Sequence, residues 1–173
     1  MAVQKIRFEG DPVLRQKATR LPKVDESVRK LASDMWETML DASGVGLAAP
    51  QIGLGRRRIV GQVPEDEDEE GDPEYSFRLV NPEIVKSFGE AVGTEGCLSI
   101  PGWVGDVPRA EAVTVKAIDM DNRAIRIKTV GHLAVVLPHE IDHLDGILST
   151  DRIVDKSTLR KVSDEEYEEA AED

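Results

Sequence analysis

Aromatic side chains are scarce in this sequence, with two Trp, two Tyr and three Phe among 173 residues. A packed interior must therefore rest on Val, Ile, Leu and Ala. Cysteine occurs once, as Cys97, which excludes an internal disulfide and fits a reducing compartment. No apolar run reaches the length of a membrane span. Basic residues are in deficit, 22 Lys and Arg against 34 Asp and Glu, for a formal charge of −12. That balance argues against DNA as a partner, because no general basic face exists to neutralise phosphates. It leaves room for a brief visit to a ribonucleoprotein through a local basic patch. Met1 to Ile6 carry neither an apolar signal core nor the Arg/Ser-rich pattern of a transit peptide, so the cytoplasm is the expected location.

The length suits one domain with a substantial core, expected to span residues 1–173. Residues 1–24 read as irregular, punctuated by Asp11-Pro12 and Leu21-Pro22. Asp25 is placed to cap a helix whose apolar stripe is Val28, Leu31, Ala32, Met35, Met39 and Leu40, ending near Ala42. The glycines of Gly44–Gly53 permit close backbone approach, and the apolar centre of that segment is unlike a solvated linker. Arg58–Val63 reads as a strand, followed by the acidic run 65–70, a solubilising loop by composition. Arg78–Val85 reads as a short strand with Pro82 near a sheet edge. Ala112–Ile118 and Ala124–Lys128 alternate apolar and polar around Asp121-Asn122, which predicts a hairpin. From His132 to Leu148 the period is helical again. The tail, from about 156 to 173, is acidic and reads as disordered or as a marginal surface helix.

Chemistry concentrates in His139-Glu140-Ile141-Asp142-His143. Two histidines four apart on a helix share a face and can bind one ion, while Glu140 is held back as a base for water. Two exposed histidines on a soluble helix would be the bland reading. Against it, the chain has three histidines and two of them stand here. A third protein ligand is needed. Carboxylates, His132 and Cys97 are the alternatives, and His132 would lie about 10 Å of helical rise away. Cys97 sits among small residues in Glu95–Gly102. A packed core cysteine is the usual fate of a lone Cys, but a two-histidine site short of a ligand weakens that reading.

Three segments together resemble the motifs of the peptide deformylase family: GVGLAAPQIG at 44–53, EGCLSIPG at 95–102 and HEIDHLDG at 139–146. The likeness runs from Asp11 to about Arg152. It implies an α+β fold with small antiparallel β-sheets packed around a central helix carrying HExxH. It implies removal of the formyl group from formyl-Met nascent peptides, releasing formate. By position, Cys97, His139 and His143 would bind one divalent metal, Fe2+ in the cell, with Zn2+, Ni2+ or Co2+ as substitutes. Glu140 would be the general acid/base on a metal-bound water. The Gln51 side chain and the Leu98 N–H would bond the formyl oxygen, and Gly46 would approach the scissile amide through its backbone. Backbone groups of Gly44, Val45 and Gly96 would hold the substrate peptide as a neighbouring strand does. His132, Val135 and Val136 would wall the methionine pocket, with Glu95 beside it and paired to Arg109.

The chain departs from the family pattern at three points. Pro138 replaces the usual glutamine before the first histidine, so the helix is expected either to bend there or to begin there. His132 stands where an apolar residue is common. The acidic tail replaces the basic carboxy-terminal helix by which some relatives approach the ribosome, which leaves only a transient ribosome contact by another route. Two other readings compete: a zinc metallopeptidase, which leaves Glu95-Gly96-Cys97 unexplained, and a non-catalytic or altered-specificity metal-binding family member.

Overall fold

The computed structural model describes residues 2–63, 75–163 and 165–166. The first helix, α1 (Glu26–Asp41), begins as expected: the Asp25 side chain accepts from the Val28 N–H, satisfying one of the free donors of the first turn. Val28, Ala32, Met35 and Met39 form its buried face. Leu40, placed in that stripe from the sequence, is instead 51% exposed.

The glycine-rich segment becomes a short strand, β1 (Gly46–Ala48), and a 3-10 turn over Ala49–Ile52. Five strands form one antiparallel sheet in the order β1, β2 (Arg58–Val63), β3 (Tyr75–Phe88), β6 (Ala112–Ile118), β7 (Ala124–Val130). The intervening strands β4 (Ala91–Cys97) and β5 (Ile100–Arg109) build a second, smaller antiparallel sheet.

Three expectations need correction. β3 is longer than the sequence reading and central in its sheet, not near an edge. Pro82 is tolerated there because the register with β6 shifts between Val80 and Glu83, beside Asn81 at φ 52. The helical pattern from His132 divides into α2 (Leu133–Leu144) and a single turn, α3 (Ser149–Arg152). The tail does not begin at 156: Lys156–Thr158 is a 3-10 turn, and β8 (Arg160–Lys161) completes the small sheet against β5. The acidic run 65–70 and residues 167–173 lie outside the described residues.

The β6–β7 hairpin forms as read, with Asn122 at φ 60 in its turn. α2 lays Ala134, Leu137, Ile141 and Leu144 on the large sheet against Ile59, Leu79, Val113 and Val115. Complete burial of Leu137 and Leu144 contributes about 1.5–3 kcal/mol for each side chain. The architecture is α+β, two antiparallel sheets about a central helix. Pro138 is the sixth residue of α2, beyond the first turn, so it deprives the Ala134 carbonyl of its helical partner. The helix nonetheless runs without interruption to Leu144.

Candidate metal centre and its cleft

α2 presents His139 and His143 one turn apart, with ring centroids 5.1 Å apart and planes at 73°. Cys97 ends β4, where the pairing with β5 changes register between Gly96 and Cys97. Such an irregularity re-aims a side chain, and Cys97 Sγ comes to 3.4 Å from His143 Nε2. The donor atoms of Cys97, His139 and His143 all lie within 4.8 Å of one another. His139 Nδ1 donates to Glu95 Oε1 at 2.9 Å, which leaves Nε2 for the centre. One sulfur and two ring nitrogens, converging and buried, fit a borderline-soft divalent ion with protein ligands on three sides.

The surroundings divide the two imidazoles. For His139, burial opposes the charged form, but bonds to Cys97 and Glu95 and the nearby Glu140 outweigh it and push its pKa well above the usual value. Burial, then His139 and Arg109, push His143 well below, keeping it neutral and able to act as a ligand. Glu140 lies 4% exposed beside them. Burial lifts its carboxyl to about 7, against the pull of His139 and Arg109. Its Oε2 has no hydrogen-bond partner among the described residues.

Gln51 is 1% exposed and held at both ends. Its Oε1 accepts from the Ala48 N–H at 2.9 Å; its Nε2 donates to Ser99 Oγ at 3.1 Å and stands 3.8 Å from Cys97 Sγ. Ser99 escaped the sequence reading. It lies two residues beyond Cys97, and nothing in its local pattern marks it as a partner of a residue 48 positions away.

Glu95 and Arg109 pair as expected, through two bonds of 2.9 and 3.0 Å. The extension of this pair through Asp142 and Arg152 was missed from sequence. Arg109 Nη1 also donates to Asp142 Oδ2 at 2.7 Å, and Arg152 donates to both Asp142 oxygens at 3.0 and 2.8 Å. A continuous series of charged bonds thus runs Arg152–Asp142–Arg109–Glu95–His139. Asp142 was legible in part, since it lies three residues after His139 inside the motif. Burial raises the Glu95 pKa, but bonds from His139 and Arg109 prevail and bring it down to about 2.

Of these groups, Gln51, Glu95, Cys97, Arg109, His139 and Glu140 line a cavity of about 540 Å³. Val45, Gly46 and Gln51 from β1 and its flanks, and Glu95, Gly96, Cys97 and Leu98 from the end of β4, also border it. His132, Val135, Val136, His139 and Glu140, from α2 and its N-cap, border it as well. Gly44 does not; a Cβ there would meet Leu98 Cδ1 at 2.6 Å, so its smallness serves packing. His132 sits at the start of α2 and outside the three-donor cluster. β1 and β4 are each the outermost strand of their sheet, and both border the cavity. A free strand edge offers unpaired backbone donors and acceptors. The cleft can therefore take an extended chain beside a buried acid/base, Glu140, and two of the three metal-ligand candidates, Cys97 and His139.

The polypeptide deformylase family profile matches residues 3–158. A peptide deformylase from Thermomicrobium roseum is 62% identical over 98% of this chain and 97% of its own. Among solved structures, peptide deformylase from Thermus thermophilus aligns with a TM-score of 0.78 and 45% identity, over 87% of this chain and 86% of that one. The Ehrlichia chaffeensis enzyme in complex with actinonin aligns with a TM-score of 0.83 and 34% identity, over 99% and 95%.

Proposed function

This chain belongs to the polypeptide deformylase family, and from that premise we propose how its own residues remove the N-formyl group of nascent polypeptides. The reaction adds water across the formyl amide, releasing formate and a free amino terminus. The observation that carries the assignment of roles is the clustering of the Cys97, His139 and His143 donor atoms, with Cys97, His139 and Glu140 all lining one cleft.

Cys97, His139 and His143 would hold one divalent ion. Fe2+ is the proposed cellular metal, and the same donors accept Zn2+, Ni2+ or Co2+. When bound, such an ion lowers the pKa of water and polarises a carbonyl oxygen. Glu140 takes a proton from the attacking water and returns it to the departing nitrogen. A carboxyl titrating at about 7 suits both halves of that task near neutral pH. Its Oε2, buried and without a hydrogen-bond partner among the described residues, has acceptor capacity left for the water it would activate.

Gln51, steadied by Ala48 and Ser99, offers its amide N–H to the oxygen that gains charge, together with the Leu98 backbone N–H. The substrate backbone lies between the edges of β1 and β4, meeting Val45, Gly46 and Gly96. Val135 and Val136 supply the apolar wall for the methionine side chain, and His132 stands at its rim. The Val45 carbonyl already accepts from the Gln62 N–H at 2.8 Å, so its substrate bond would use the N–H or the second lone pair. We assign the chain to the cytoplasm, with a transient ribosome contact. Among the described residues no helix is long and apolar enough to cross a membrane.

The test is formate release from a formyl-Met peptide, abolished by a chelator and restored by iron(II) under anaerobic conditions. Activity that persists without metal would remove Cys97, His139 and His143 from the mechanism.

A further inference from the structure

The chain before α1 runs outside the cleft and ties together elements that the two sheets hold separately. Ala2 and Gln4 donate through their backbone N–H groups to Asp34 Oδ1 at 3.0 Å and Thr38 Oγ1 at 2.8 Å, both on α1. The Arg7 N–H donates to the Gln51 carbonyl at 2.6 Å, and the Glu9 N–H to the Ser99 carbonyl at 2.9 Å. Leu14, fully buried, then packs with Cys97, Ile100 and Leu148. The side chains of Arg7, Phe8 and Glu9 are exposed, and none of them borders the cavity. What this stretch gives to Gln51 and Ser99 is backbone donors.

The two residues it grips are already partners. Gln51 Nε2 donates to Ser99 Oγ at 3.1 Å, and both residues are buried. Gln51 lies in the 3-10 turn that follows β1 of the large sheet, and Ser99 between β4 and β5 of the small one. Each therefore has one bond to the other through its side chain, and one through its carbonyl to the same short stretch of chain. Alternate residues of an extended chain point their N–H groups the same way, so Arg7 and Glu9 reach one carbonyl each. The Arg7 guanidinium also lies against the turn that carries Gln51. A Cβ on Gly53, which closes that turn at φ 86, would stand 3.1 Å from Arg7 Nη2.

The two donors assigned to the developing oxyanion come from opposite sides of this junction. The Gln51 amide belongs to the large sheet, and the Leu98 N–H, next to Ser99, to the small one. Such donors act at about 3 Å from the oxygen, and a misplacement of about 1 Å costs on the order of a hundredfold. We infer that residues 7–9 form a positioning segment for the reaction: by bonding the Gln51 and Ser99 carbonyls they set the spacing of the two oxyanion donors. The inference rests on the deformylase reading and adds to it residues that touch neither substrate nor metal.

The test removes one donor and spares the local turn. Phe8 to Asp11 form a turn closed by the Asp11 N–H on the Phe8 carbonyl at 3.0 Å, with Gly10 at φ 104. A positive φ at the third position marks type II, which favours proline at the second, so Glu9→Pro suits the turn and deletes the bond to Ser99. At equal iron(II) content it should lower kcat on a formyl-Met peptide about tenfold, less than the roughly 10²–10³-fold of deleting an oxyanion donor outright. KM and metal retention should stay near wild type. Glu9→Ala keeps the N–H and gives up only an exposed 3.9 Å contact with Arg15, so it should recover the lost kcat. In a Gln51→Ala background Glu9→Pro should cost nothing further, because groups that act through one another are not additive. Arg7→Pro removes the other donor and carries the same expectations.

The inference is overturned by an unchanged kcat in Glu9→Pro, by an equal loss in the Gln51→Ala background, or by a comparable loss in Glu9→Ala. A loss confined to KM or to metal content overturns it as well. Failure of both proline variants to fold would do the same, since the segment would then hold the whole fold and not the spacing of two donors. Wild-type protein that releases no formate contradicts the deformylase reading first, and this inference with it.

Discussion

A Cβ placed on Gly46 would lie 2.6 Å from Oε1 of Glu140 and 2.9 Å from its Cδ and Cγ, so the whole carboxylate would have to shift along the cavity it lines. The smallness of Gly46 therefore sets the position of the acid/base. Gly46→Ala should lower kcat about a hundredfold, the scale of a misplacement near 1 Å, with KM changing far less. Steady-state kinetics on a formyl-Met peptide decides this, and an unchanged kcat would show that Glu140 can work from elsewhere.

The charged series ending at His139 should be visible in metal retention. Glu95→Gln weakens the acceptor that orients His139 and should cost about ten- to a hundredfold in affinity. Arg152→Ala, three bonds further away, should cost less, and Arg152→Lys should recover part of it. Competition with a chelator measures this directly. Equal affinity in wild type and Glu95→Gln would make the series structural only.

Two buried carboxyls give the metal-free protein opposite pH dependences. Glu95 has its pKa lowered to about 2 from 4.5, so its contribution is present above pH 4.5 and lost as pH falls towards 2. Glu140 has its pKa raised to about 7, so its contribution is full below pH 4.5 and lost as pH rises through 7. Urea unfolding across this range should show the acid decline flattened in Glu95→Gln and the neutral decline flattened in Glu140→Gln. Parallel curves for all three proteins would contradict both assignments.

Local features were legible in the sequence because their causes are local. Asp25 caps α1 through a residue three positions on, and Asn122 turns the β6–β7 hairpin through its own φ. The same holds for His139 and His143, whose alignment follows from helical spacing. Of β4 and β5 only the stretch around Cys97, within Glu95–Gly102, resembles a short strand in the sequence, since Gly93, Gly96, Gly102, Gly105 and Pro108 dilute any longer alternation. Their pairing with each other supplies the order. Ser99 and Arg152 gain their roles only when distant segments meet. Pro138 was ambiguous for a related reason: its tolerance inside α2 depends on packing against the large sheet, which no window of sequence reports.

The most direct test of the central claim compares formate release by wild type and Glu140→Gln, both prepared anaerobically and loaded to equal iron(II) content. Wild type should turn over formyl-Met peptide, and the variant should lose about 10²–10⁴-fold in kcat with its metal content intact. Undiminished turnover in the variant would contradict the role assigned to Glu140.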